Sequence, residues 1–161
     1  MLAVSEHLEK RGVSFEATSH DEAYTSVDEA RALGIAADEV LKAVLLQTAS
    51  GYGLAVIPAS RRLDLKLVEQ AVADKHARLA TEDELERDFP AYELGAFPPL
   101  GSLLSMPTYV DPEVMEHDTV VFAAGSRTES VKVRTEDLFR GESVSVTPLT
   151  RRPEEVEPGR A

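Results

Sequence analysis

Apolar residues recur along this chain in two short periods, and they predict brief helices interleaved with brief strands. Residues 2–11 place Leu2, Val4 and Leu8 at helical spacing, with Gly12 as a stop, and predict an amphipathic helix. Val13-Ser14-Phe15-Glu16-Ala17 alternates and predicts a strand. After a polar loop over 19–24, Ser26-Val27-Asp28-Glu29 has the Ser-x-x-Glu form of a capping box, with a helix running on to Gly34. A turn through 36–38 feeds the apolar run Glu39-Val40-Leu41-Lys42-Ala43-Val44-Leu45-Leu46-Gln47, which reads as a buried strand. Ser50-Gly51 marks a hairpin turn, and residues 53–58 form the returning strand.

The second half repeats the alternation. Asp64 is placed to cap a helix over Leu65, Leu67, Val68, Ala71 and Val72, and 77–80 predicts a short strand. Thr81-Glu82-Asp83-Glu84 is a second capping box, opening a helix that must stop before Pro90. Two glycines and two prolines within 95–101 exclude helix interior and central strand, so this is a shaped loop. Strands follow at 107–111, 119–123 and 130–134, with Asp111-Pro112-Glu113 opening a single helical turn between the first two. Thr135 is expected to cap a last helix ending at Gly141, and 143–146 to add an edge strand. The expected fold is α+β: one domain over 1–147 with a mixed, mostly antiparallel, barrel-like sheet and short surrounding helices. From Pro148 no apolar periodicity remains, and 148–161 is expected to be a disordered tail.

One charge interrupts the central strand. Strand alternation puts Val40, Lys42, Val44 and Leu46 on one face and Leu41, Ala43 and Leu45 on the other. With both faces apolar, Lys42 is expected to point into protein or a cleft, where an unpaired ammonium is costly. The alternative is a lysine that carries its head to water from the strand end.

Composition narrows the chemistry. The chain is an ordinary globular sequence of 161 residues without cysteine, which excludes disulfides, thiolate metal sites and a cysteine nucleophile. A net charge of −12 argues against strong non-specific nucleic-acid binding, although Arg61, Arg62 and Lys66, or Arg127, Lys132 and Arg134, could form local basic patches. No apolar run approaches membrane-spanning length, the first residues do not read as a signal peptide, and the cytoplasm is the expected location. The four histidines show no metal-ligand spacing, and neither a phosphate-binding glycine loop nor a serine nucleophile elbow is present. His20, Tyr24 and Thr25 could face a site, although taken alone a surface or capping role is the simpler account of each. The rigid 95–101 loop could present backbone N–H donors to a carbonyl becoming an oxyanion, or could be an ordinary stiffened connection.

Taken in order, Lys42-Ala-Val-Leu-Leu, Leu63-Asp64-Leu65-Lys66, Gly95-x-x-x-Pro99-Leu100-Gly101, Pro107-Thr108-x-x-Asp111 and Ala124-Gly125-Ser126 resemble the YbaK/prolyl-tRNA synthetase-associated domain family, the trans-editing aminoacyl-tRNA deacylases, over about residues 2–146. The resemblance implies hydrolysis of the ester that joins a mischarged amino acid to the 3′-terminal ribose of tRNA. It implies Lys42 as the catalytic residue and a pocket shaped by the glycine–proline loop. The implied substrate contacts are His20, Tyr24, Thr25, Gly95, Pro99, Leu100, Gly101, Gly125, Ser126 and Arg127. No metal or cofactor is implied, because the ester is already activated. The implied partners are a mischarged tRNA acceptor end and an aminoacyl-tRNA synthetase, with no membrane. Many members carry His where this chain has Arg127, and some carry Tyr where it has Thr18 and Ser19, so the resemblance leaves the edited amino acid open. A non-catalytic module that binds aminoacyl-tRNA or another nucleotide-bearing ligand is the rival expectation. The acidic balance favours it, and retention of Lys42 with the whole loop favours the enzyme.

Overall fold

The structure, a computed structural model, describes residues 2–151. Its elements run α1 (Leu2–Lys10), β1 (Phe15–Ser19), α2 (Ser26–Leu33), β2 (Leu41–Thr48), β3 (Gly51–Pro58), α3 (Leu65–Val72), β4 (Arg78–Leu79), α4 (Glu82–Asp88), α5 (Gly101–Leu104), β5 (Thr108–Val110), β6 (Thr119–Ala123), β7 (Glu129–Arg134), α6 (Thr135–Arg140) and β8 (Val144–Val146). Single 3-10 turns lie at Ala37–Glu39 and Pro112–Glu116. The caps expected at Asp64, Thr81 and Asp111 form, each side chain accepting from an N–H of the following turn, and the reciprocal Thr81–Glu84 box closes. Two caps differ from expectation. Thr25, rather than Ser26, caps α2, and the Thr135 hydroxyl donates to the His117 carbonyl instead of capping α6.

The strands form two sheets, ordered β1-β7-β6 and β4-β2-β3-β5-β8. Pairing is antiparallel except for β3–β5 and β5–β8, as the mostly antiparallel expectation required. The barrel-like expectation fails. Closure needs a continuous hydrogen-bonded ladder. Among the described residues the sheets are joined only by the isolated parallel bridge Val40–Val121.

The main core lies between the sheets. Val120, Phe122, Val131 and Val133 on one sheet meet Leu41, Leu45, Leu54 and Val56 on the other. The outer face of the second sheet carries a smaller cluster, in which Leu46, Ala55 and Ile57 meet Val68 of α3 and Leu149. The outer face of the first sheet is covered by α2, through Ala30 against Val40 and Val121. Both faces of β2 are thus covered along most of its length, apart from Lys42 on the outer face.

The start of the expected tail is held in place. Leu149 is fully buried, and the buried Asp111 carboxylate accepts from the Leu149 N–H, the Thr150 N–H and the Thr150 hydroxyl at 2.9, 3.0 and 2.9 Å. Two residues without periodicity are therefore held by polar anchoring of their backbone. The remainder of the expected tail, 152–161, lies outside the described residues.

Candidate active site

Two loops meet at the turn between β6 and β7. The Ala23 N–H donates to the Arg127 carbonyl at 2.8 Å and the His20 N–H to the Thr128 carbonyl at 2.9 Å, which ties the 20–25 loop to that turn. From the other side, the Glu93 N–H donates to Gly125 and the Gly125 N–H to Ala96, both at 2.9 Å. Arg127 spans the junction. Its Nε donates to the Leu94 carbonyl at 3.1 Å, Nη1 lies 3.7 Å from Glu93, and the guanidinium lies 4.7 Å from the centre of the Tyr24 ring.

Gly95 faces Tyr24 across this junction. Its φ of +82° suits glycine, and a Cβ there would strike the Tyr24 carbonyl oxygen. Its amide makes no hydrogen bond among the described residues, and the residue is exposed. The loop therefore presents a free donor at its glycine, on a backbone held from both sides.

Lys42 is exposed, and its ammonium has neither a hydrogen bond nor an ion pair among the described residues. It does not point into the protein, and the cause is the extent of the helical covers. Val40, on the same face, is covered by α2, while Val44 and Leu46 lie under the α3 cluster. Lys42 sits in the open strip between them. Beyond the parallel Val40–Val121 bridge, β2 and β6 remain in contact and run the same way, so Lys42 lies toward the Ala123 end of β6. That end leads directly into Ala124-Gly125-Ser126. No hydrogen bond, ion pair or ring contact joins Lys42 to the Arg127–Tyr24 group.

The sequence matches the aminoacyl-tRNA editing domain family over residues 20–140, well over half of the chain. The chain belongs to that family. A relative from Enterococcus faecalis, provisionally named a Cys-tRNA(Pro)/Cys-tRNA(Cys) deacylase, is 28% identical over 122 residues, covering 73% of this chain and 74% of its own. Among solved structures, one described provisionally as a trans-editing enzyme for prolyl tRNA synthetase superposes with a TM-score of 0.80 at 22% identity, covering 94% of this chain and 96% of its own. A hypothetical protein superposes with a TM-score of 0.84 at 20% identity, covering 92% of this chain and 99% of its own. These likenesses confirm the fold. The editing domain is an aminoacyl-tRNA deacylase, a hydrolase of an ester bond whose substrate is aminoacyl-tRNA.

The structure divides the candidate contacts of the editing domain. Tyr24, Gly95, Gly125 and Arg127 come together, with Ser126 at the tip of the turn, its hydroxyl 3.4 Å from both Thr128 Oγ1 and Glu129. The Thr25 hydroxyl is engaged in capping α2, accepting from the Asp28 N–H at 3.1 Å. Pro99, Leu100 and Gly101 are buried and lead away from the junction. Leu100 belongs to the main core, and a Cβ on Gly101 would strike the Thr108 hydroxyl, so this half of the loop packs on β5. No helix among the described residues is long and apolar enough to cross a membrane.

His20 reaches inward rather than outward. Its Nδ1 lies 2.7 Å from the Asp21 carbonyl and its Nε2 2.7 Å from the Ser130 hydroxyl, which in turn donates to Glu29. Both ring nitrogens are thus engaged within the protein. Glu29 and Ser130 escaped the sequence reading. The Ser-x-x-Glu spacing assigned Glu29 to a surface box, and its partner lies 101 residues away. Burial pushes the Glu29 carboxyl up to about 7, against the opposing pull of the Ser130 hydrogen bond and the His20 charge.

Proposed function

We propose that the domain acts in trans on mischarged tRNA, in the strip between α2 and α3 beside the turn between β6 and β7. Lys42 holds the 3′-terminal adenosine through phosphate or ribose oxygens. The Gly95 amide faces the ester carbonyl, and Tyr24 and Arg127 wall the aminoacyl group. The observation that carries this reading is a cation without a partner among the described residues, on a strand leading toward the turn to which the glycine loop is bonded.

The chemistry asks little of the protein. An aminoacyl ester is activated, and holding it with its water in line supplies much of a rate enhancement. The attacking water is activated by the substrate's own ribose hydroxyl or amine, and the amide donor stabilises the oxyanion that forms. A wall of limited size excludes larger cognate residues, as in a second sieve. The overall acidity of the chain weakens capture of free tRNA, which favours delivery by an aminoacyl-tRNA synthetase in the cytoplasm.

The test is turnover of a panel of mischarged tRNAs at low salt, with and without a synthetase. Release of at least one small amino acid, faster than spontaneous hydrolysis, is expected. Binding of the panel without release would establish the non-catalytic alternative.

A further inference from the structure

A polar chain crosses the covered outer face of the first sheet. Glu29 of α2 and Ser130 of β7 are 2% and 1% exposed. Ser130 stands opposite Thr18 of β1 and Ala123 of β6, and α2 lies over it. Its hydroxyl is bonded to Glu29 on one side and to His20 Nε2 on the other, and His20 Nδ1 is bonded to the Asp21 carbonyl.

Counting protons along this chain restricts its states. A carbonyl only accepts, so Nδ1 carries a proton. If the Ser130 proton goes to Glu29, Nε2 must carry a proton as well, and an imidazolium faces a carboxylate. If Glu29 is instead the acid and donates to Ser130, the Ser130 proton goes to Nε2 and both groups are neutral. Either arrangement makes all three bonds with a single ionisable proton shared by Glu29 and His20. Passing between them moves the Nε2 proton to Ser130 Oγ and the Ser130 proton to Glu29 Oε2, so atoms and charge balance. A carboxylate facing a neutral ring is one proton short, and one of the three bonds is then lost.

We propose that Glu29 and Ser130 are positioning residues of the editing site, which hold His20 through one shared proton and thereby hold the loop that carries Tyr24 against β7. The inference rests on the proposed reading of Tyr24, Gly95 and Arg127 as the substrate wall. The loop is bounded by the relay on one side and by the Thr25 cap of α2, the helix that bears Glu29, on the other. Its backbone is bonded to Arg127 and Thr128 of the same turn to which Glu93 and Ala96, on either side of Gly95, are bonded. The raised carboxyl of Glu29 agrees with a proton retained near neutrality.

His20 is the ionisable group that faces Glu29 directly. On the strands beneath α2, Glu16 and Lys132 stand opposite each other and line one small cavity with Ser130. Asp28 and Arg31 pair on α2 itself, Asp38 and Glu39 belong to the turn packed against it, and Asp21 and Glu22 adjoin His20. None of these makes a hydrogen bond or an ion pair to the Glu29 carboxyl. The relay is therefore complete below neutral pH and comes apart as the shared proton leaves with rising pH.

The test is a side-chain NMR titration of the isotope-labelled full chain, paired with deacylation kinetics over the same pH range. The Glu29 carboxyl carbon and the His20 ring nitrogens should move together through one midpoint. S130T should keep that joint titration, and S130A should separate it into two. The KM for mischarged tRNA should rise about tenfold from neutral to alkaline pH, the effect of losing one charge-assisted hydrogen bond, with kcat little changed. E29Q should remove that rise, because a side-chain amide can donate or accept without titrating. Separate midpoints in the unmodified chain, or a joint titration surviving S130A, would overturn the relay. A KM that rises equally in E29Q would overturn the positioning role. A joint titration in a protein that deacylates none of the panel would uphold the relay and overturn the reading of the wall.

Discussion

Arg127 lies over the ring of Tyr24, its guanidinium 4.7 Å from the ring centre, while its Nε donates to the Leu94 carbonyl. One side chain thus pins the two loops that meet at Gly95. The planar fork permits both contacts at once, and an ammonium does not reproduce it. Arg127→Lys is expected to raise the KM for mischarged tRNA about tenfold while lowering stability by no more than ~1 kcal/mol. Steady-state kinetics and a melting curve on the same preparation check both.

Gly95→Ala should lose stability and turnover together. The side chain must adopt φ near +82° and displace the Tyr24 carbonyl. A strained backbone of this kind costs about 1–3 kcal/mol. Moving the free amide should lower turnover about a hundredfold, the size of one lost oxyanion donor. The comparison is turnover per folded molecule against melting temperature. Unchanged turnover would reduce the glycine to a turn residue.

Lys42→Ala should fold normally. The side chain is exposed and without a partner among the described residues, so its removal is expected to change stability by less than about 0.5 kcal/mol. Deacylation should fall by about two orders of magnitude or more if the ammonium fixes the substrate. Wild-type turnover in the variant would remove Lys42 from the mechanism.

Ending the chain after Thr147 should destabilise it markedly. The cut removes Leu149 from the α3 cluster and strips Asp111 of three of its hydrogen-bond donors. A fully buried leucine alone is worth about 1.5–3 kcal/mol, and the buried carboxylate left behind adds to the loss. Denaturant unfolding of the two lengths measures it. Asp111→Ala should reproduce much of the effect in the full chain.

Glu29 should make stability fall as pH rises toward neutrality. Its carboxyl is raised from 4.5 to about 7 in the fold, so between those values the native state binds a proton that the unfolded chain has lost. The contribution is fully present below about pH 4.5 and gone above about pH 7, and its ceiling is ~3 kcal/mol. Unfolding free energies of the wild type and Glu29→Gln at pH 5 and pH 8 isolate the contribution of Glu29 together with its coupled partner His20, since groups away from that pair titrate alike in both. Parallel pH profiles would show that Glu29 is already ionised in the native state.

The sequence by itself determined what depends on neighbours along the chain. An apolar run located the central strand over 39–47, found at 41–48, β-branched and aromatic residues located 119–123, and local capping chemistry located the starts of α3 and α4, because a cap satisfies N–H groups only two or three residues away. Tertiary structure decided whatever depends on what covers a position. Lys42 stands on an apolar face, yet it is exposed because α2 ends its cover at Val40 and α3 begins its own at Val44. Glu29 fits a surface box by spacing, yet it is buried because α2 turns that side onto Ser130. Leu149 shows no periodicity, yet it is core because Asp111 holds its backbone in place. Short-range hydrogen bonds and periodic burial leave a record in spacing, whereas a partner about a hundred residues away leaves none until the chain is folded.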